Sequence, residues 1–342
     1  MRRALSIMSA AALLVTITPA IKTPVNVRIY RYQSQWGTEG KGDGQFYYPN
    51  GVALAPNGNV YVADRGNSRV QYFTPGGLFL GKWGSYGSGD GQFIYCSAVD
   101  VNSNGNVYVA DPGNHRVQYF TSAGSFLGKW GTAGEGDGQF RRLESLAVAP
   151  TTRNVYTVEE WTDPGTPEVY NYRIQYFSET GRFLGAWPTV ATPGYRSGPV
   201  AISVRPDGTV FGASNSHPTD VSRRVRYYSP TGSYRGGWGA FGHGPGLFSS
   251  PVSIEYSAYT DSVFVGDTQD RIQVFTPTGS YITAWGSNGS GNGQFRSPVG
   301  IAARRLTDGV FVCDRGNHRI QYFASPRVLV PLPSSGRRII AE

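Results

Sequence analysis

The 342-residue chain carries 31 Lys and Arg against 23 Asp and Glu, a net charge of +8, and four of those cations are lysines: Lys22, Lys41, Lys82 and Lys129. At least six of the arginines recur once per repeat and so spread around the molecule; no basic patch forms, which argues against a nucleic-acid partner. Only two cysteines are present, Cys96 and Cys313, and their places in non-neighbouring repeats argue for two free buried thiols.

Met1-Arg-Arg, the apolar run Ala4–Ile17 and the small residue Ala20 form a charged n-region, an h-region and a cleavage site. Residues 1–20 are therefore expected to be a signal peptide, and the protein to be secreted, periplasmic or at the cell surface. The run is too short to span a bilayer comfortably, so no integral membrane span is expected.

Residues 29–36 read as a lone strand ending in Trp36. The first complete unit then runs from Gly42-Asp-Gly-Gln-Phe46 through Gly51-Val-Ala-Leu54, Val60-Tyr-Val-Ala-Asp64, Arg69-Val-Gln-Tyr-Phe73 and Leu78-Phe-Leu-Gly-Lys-Trp83. Four short Val-, Tyr-, Phe- and Leu-rich runs between Gly/Asn/Pro/Asp clusters are the pattern of four antiparallel strands, a to d. Asn57-Gly58 and Asn104-Gly105 suit a–b hairpins, and Gly76, Gly124, Gly181, Gly232 and Gly279 are expected to supply the positive φ of the c–d turns.

The strand-c motif Arg-[Val/Ile]-x-[Tyr/Val]-[Phe/Tyr] returns at Arg69, Arg116, Arg173, Arg224, Arg271 and Arg319, and Trp36, Trp83, Trp130, Trp187, Trp238 and Trp285 end successive d strands. Repeats of this length belong to propellers or solenoids. The last unit, 298–323, has strands a, b and c and lacks d, while 29–36 is a d strand lacking the other three. The fold class is therefore all-β: a six-bladed β-propeller of four-stranded antiparallel blades over 24–323, its ring closed by the N-terminal strand, followed by a C-terminal extension at 324–342.

Pro-x-Gly-Val-Ala, Gly-Asn-Val-Tyr-Val-Ala-Asp and Gly-Asn-His-Arg-Val-Gln-Tyr-Phe, as they stand across 49–73, 96–120 and 298–323, resemble the NHL-repeat family of six-bladed propellers. The resemblance implies several jobs: RNA binding in cytoplasmic members, protein or ligand binding in extracellular sensor domains, and metal-dependent lyase chemistry in the peptidyl-hydroxyglycine amidating lyases. The lyase chemistry would require three histidines to converge. His115 and His318 sit in the repeat motif and His217 and His243 elsewhere, so no metal, cofactor or catalytic set is expected.

Asp64, Asp111, Glu159, Asp267 and Asp314 end strand b in five blades and an Arg opens strand c in all six, so each pair is expected to fix its b–c turn. Function is sought where the repeats disagree, because loops vary and carry binding. Blade three inserts Glu160-Trp161-Thr-Asp163 through Tyr172 between strands b and c and replaces Tyr47, Tyr48 and Asn50 with Arg141, Arg142 and Glu144; blade four carries His217 in its b–c loop. The expected binding residues are Tyr48, Tyr95, Arg141, Arg142 and Glu144 in d–a segments and Glu160, Trp161, Asp163 and His217 in b–c loops, all on one face. The function expected is non-catalytic recognition of a protein, peptide or glycan. The alternatives are a metal-dependent lyase or hydrolase, or a self-assembling cell-surface component.

Overall fold

A computed structural model describes residues 28–163, 166–189, 198–214 and 224–325. The expected signal peptide, most of the C-terminal extension and the blade-four loop with His217 lie outside the described residues. Six four-stranded antiparallel sheets are arranged as blades. Blade one has strands Gly51–Leu54, Val60–Asp64, Arg69–Phe73 and Phe79–Trp83, and the other blades follow the same a-b-c-d order.

Ring closure is as the repeat count requires. The N-terminal strand Arg31–Trp36 pairs antiparallel with strand c of blade six, Arg31 opposite Ala324 and Trp36 opposite Ile320, and so supplies that blade's d strand. Tyr30 stacks on Trp285 of blade five at 4.6 Å, and Trp36 lies 5.7 Å from Phe311 and 5.8 Å from Phe73 of blade one. The N-terminal segment 30–36 thus packs on both flanks of the blade it completes.

Six apolar clusters hold the blades together, one between each adjacent pair. Between blades one and two, Trp83 reaches Phe120 at 5.5 Å and Tyr61 at 6.1 Å, over the fully buried Phe93. Flat rings fill the wedge between twisted sheets that aliphatic residues would leave hollow. Five of the six repeat tryptophans, all but Trp285, also lie on a c–d turn glycine of the next blade: a Cβ on Gly124 would fall 2.7 Å from the Trp83 ring. In blade one the glycine in this role is Gly77, with φ 87°, and not Gly76 as the sequence suggested, because Thr74-Pro-Gly-Gly offers two glycines and the turn uses the second.

The acid–arginine pairs do more than brace their own turn. In blade one, Asp64 Oδ1 accepts the Tyr47 N–H at 2.8 Å and Oδ2 accepts Arg69 Nε at 2.8 Å, while the Arg69 guanidinium donates to the carbonyls of Lys41, Gly42 and Gln45. Blades two and six repeat the pair at 2.8 Å. Blade five is looser, with Arg271 3.5 Å from Asp267. The b–c turn is thereby tied to the preceding d–a segment, whose Phe46 is fully buried. Both cysteines are buried and free.

Candidate functional site

Because strand a lies innermost in every blade, six a strands surround a central channel of about 750 Å³. The d–a and b–c segments border its upper mouth, and the a–b turns border its lower mouth. Pairing with strand b aligns six side chains near the lower end of the a strands: Ala53, Asp100, Ala147, Ser203, Glu255 and Ala302. Three of the six are polar, and each accepts a main-chain N–H from the inner edge of the next blade. Asp100 Oδ2 accepts Val148 N–H at 2.7 Å, Ser203 Oγ accepts Tyr256 N–H at 3.0 Å, and Glu255 Oε1 accepts Ala303 N–H at 3.4 Å. Ser203 Oγ also donates to Glu255 Oε2 at 3.1 Å.

Asp100 and Glu255 line the channel and are half-buried, with protein packed around both. Burial raises the Asp100 carboxyl to about 6 against the hydrogen bonds that favour its ionised form. Burial and then the Asp100 charge raise Glu255 to about 8. The Arg305 guanidinium, on the a–b turn of blade six, pulls both the other way. Sequence reasoning passed over this pair; the signal was an acid inside an otherwise apolar strand a, in Val99-Asp-Val101 and Ile254-Glu-Tyr256.

At the upper mouth the expected residues fall into two groups. The first is on blade three. Its b–c insertion is no loop: strand b runs Val155–Asp163 and strand c Thr166–Phe177, so the blade extends as a hairpin with Glu160 opposite Tyr172, Trp161 opposite Asn171 and Asp163 opposite Thr166. Alternation of Thr, Val, Trp and Tyr favours continued pairing over an open loop. Glu160 is buried, accepts the Tyr172 hydroxyl at 3.1 Å and lies 3.7 Å from Arg142. Arg142 pairs with Glu144 at 2.7 Å. Both belong to strand a, not to the d–a segment, with Glu144 at a bulge that turns it to the channel mouth. Arg141 precedes the strand, half exposed, and pairs with Glu135 at 3.1 Å.

Tyr48 and Tyr95 form the second group, in the d–a segments of blades one and two. Both take left-handed φ, 49° and 61°, which costs about 1–3 kcal/mol for a bulky residue. Tyr48 N–H donates to His318 Nδ1 at 3.1 Å. The Arg315 guanidinium lies over the Tyr48 ring at 5.9 Å and Arg65 over Tyr95 at 5.3 Å. His318 and His115 cap 3-10 turns, and His243 stands beside Phe241. Among the described residues, no three His, Cys, Asp or Glu side chains gather as a metal site would require. Among them also, no helix is long and apolar enough to cross a membrane.

Residues 46–73 and 93–120 match the NHL-repeat family model. A 47-residue stretch is 47 % identical to Protein lin-41 of Caenorhabditis elegans, covering 14 % of this chain and 4 % of that protein. In structure the chain resembles a structural-genomics protein of Bacteroides thetaiotaomicron (TM-score 0.61, 16 % identity, 87 % of this chain and 76 % of that one). It also resembles a gluconolactonase of Xanthomonas campestris (TM-score 0.57, 11 % identity, 83 % and 88 %). At these identities the two structures share a fold with the chain and nothing finer.

Proposed function

We propose that this chain, which is an NHL-repeat β-propeller, is a secreted, non-catalytic recognition module that binds a protein, peptide or glycan with its upper face. The observation that carries the reading is the blade-three hairpin. Elsewhere strands b and c obey the repeat, five residues each in blades one and two, whereas here they reach nine and twelve. A hairpin raised beside a channel mouth adds surface that the fold does not need. It carries Trp161, the one tryptophan outside the repeat position, and Arg141 lies half exposed at the start of strand a of the same blade. Interface energy concentrates on Trp, Tyr and Arg because rigid or planar side chains lose little entropy on binding.

Arg142 is a poorer probe than Arg141, since removing it would strip the buried Glu160 of a cation. The test is therefore Trp161→Ala combined with Arg141→Ala, scored by capture of partners from the native extracellular fraction. Capture should weaken by roughly 2 kcal/mol or more with the melt nearly unchanged. Trp83→Ala should do the reverse, losing about 3–5 kcal/mol of stability from the inter-blade core. Wild-type capture by the double variant would remove blade three from the binding surface.

A further inference from the structure

We propose that the upper mouth between blades six and two is an oxyanion site, in which Arg65 and Arg315 hold a carboxylate or phosphate group of a ligand. The proposal rests on the upper face being the binding face and names the chemistry taken there.

Arg65 and Arg315 open the b–c 3-10 turns of blades one and six, directly after Asp64 and Asp314. Those carboxylates are already committed to Arg69 and Arg319. Among the described residues neither Arg65 nor Arg315 has an ion pair or a hydrogen-bond acceptor; each guanidinium has only a tyrosine ring, Tyr95 or Tyr48, beneath it. Both line the channel mouth. They are near enough to repel: burial first, and then the charge of Arg65, lowers the pKa of the Arg315 guanidinium.

The turn does not need these arginines. In blade two Pro112 holds the same position, and the 3-10 turn forms with the same left-handed cap, φ 54° at His115 against 51° at Ser68 and 55° at His318. Thr268 follows the strand-b acid in blade five. Two like charges thus stand together at one mouth with no turn to support and, among the described residues, no carboxylate paired with either. Planar guanidiniums suit oxyanions because they donate in a fixed fork.

A third group adds to the site independently. Ser97 lines the same mouth, is 8 % exposed, and its hydroxyl has no hydrogen-bond partner among the described residues. It follows Tyr95, the ring under the Arg65 guanidinium, by two residues. The left-handed backbone at Tyr48 and Tyr95 belongs to the repeat, since Ser297 takes it at the same place in blade six; what blades one and two add there is a ring beneath a guanidinium.

The experiment uses the full secreted chain, with sodium phosphate and sodium propionate as separate probes titrated at constant ionic strength. The melting temperature of the wild type should climb with probe concentration, as binding to the folded state alone requires. In Arg65→Thr/Arg315→Thr the apparent affinity should drop at least about tenfold. Without probe at low salt that variant should melt no lower than wild type, a result that a turn-bracing role would reverse. Arg305→Gln, at the lower mouth, should keep the full response. A response to phosphate alone assigns a phosphate ligand; a response to both probes assigns oxyanions in general.

If the double variant does not fold, the wild type still decides the matter: phosphate should protect Arg65 and Arg315 from phenylglyoxal, read by peptide mass spectrometry. No protection, or an undiminished response in a folded double variant, overturns the site. Should that happen while Trp161→Ala/Arg141→Ala still weakens partner capture, the oxyanion site fails and the blade-three reading stands. Loss of the second result with survival of the first separates them the other way.

Discussion

Replacing Glu255 with Gln should stabilise the protein at alkaline pH and leave it nearly unchanged in acid. In the folded chain this carboxyl moves from 4.5 to about 8, through burial and then the charge of Asp100. A raised acid means that the folded state holds a proton the unfolded chain would release, so stability is full below about pH 4.5 and declines as pH rises through 8. Left uncompensated, the displacement is worth roughly 4–5 kcal/mol above that window. Solvent screening along the open channel reduces it, so about 2–3 kcal/mol is expected. Gln keeps an oxygen for the Ala303 N–H, turns an amide N–H toward Ser203 Oγ in place of the second oxygen, and carries no charge. Thermal and urea unfolding at pH 4, 6.5 and 9 should show the two proteins converging in acid and separating by about 4–8 °C in base. Parallel stability curves at all three pH values would refute the argument, as would an NMR titration placing the Glu255 carboxyl in the ordinary range.

Two further outcomes follow from the ring and its turns. A chain lacking residues 21–37 exposes the strand-c edge Arg319–Ala324 and strips Trp285, Phe311 and Phe73 of their partners, so size-exclusion chromatography should show association and calorimetry a broadened melt; a monomer with an unaltered melting temperature would disprove closure by this strand. Arg116→Ala should cost about 3–5 kcal/mol, because it leaves Asp111 buried without its cation and takes a charged donor from the carbonyls of Ser88, Gly89 and Gln92, whereas Lys129→Ala, which removes a half-exposed pair, should cost at most about 1 kcal/mol; equal losses in urea unfolding would show that burial does not set the difference.

The blades were legible because the information that makes them is local: alternating apolar residues, Asn-Gly turns and a tryptophan at each d strand recur within a single unit. Closure was legible by subtraction, from a unit missing strand d and a d strand missing its unit. What escaped depended on geometry between units. Asp100 and Glu255 look like ordinary strand residues until six a strands are placed round one axis and their edges need acceptors. The blade-three insertion was read by its length as a loop, although the Thr, Trp, Val and Tyr within it favour a paired hairpin. Arg65 and Arg315 stood in plain view in Arg-Gly-Asn, but their lack of a counter-ion becomes visible only once Asp64 and Asp314 are seen bonded to other arginines.

The pairing of Arg31–Trp36 with Arg319–Ala324 has a consequence for the order of events during synthesis. Within the propeller the first strand has its partner in the last, so blade six stays incomplete until strand 319–324 has emerged. Blades one to five draw all four strands from contiguous sequence and can form as each is made. Joining the two ends of so long a segment adds an entropic cost that grows slowly with its length, and it places the slow, non-local step at the end of folding. Until that step the leading strand is an unpaired edge with Tyr30 and Trp36 uncovered, the state in which such a chain is most exposed to association with its neighbours.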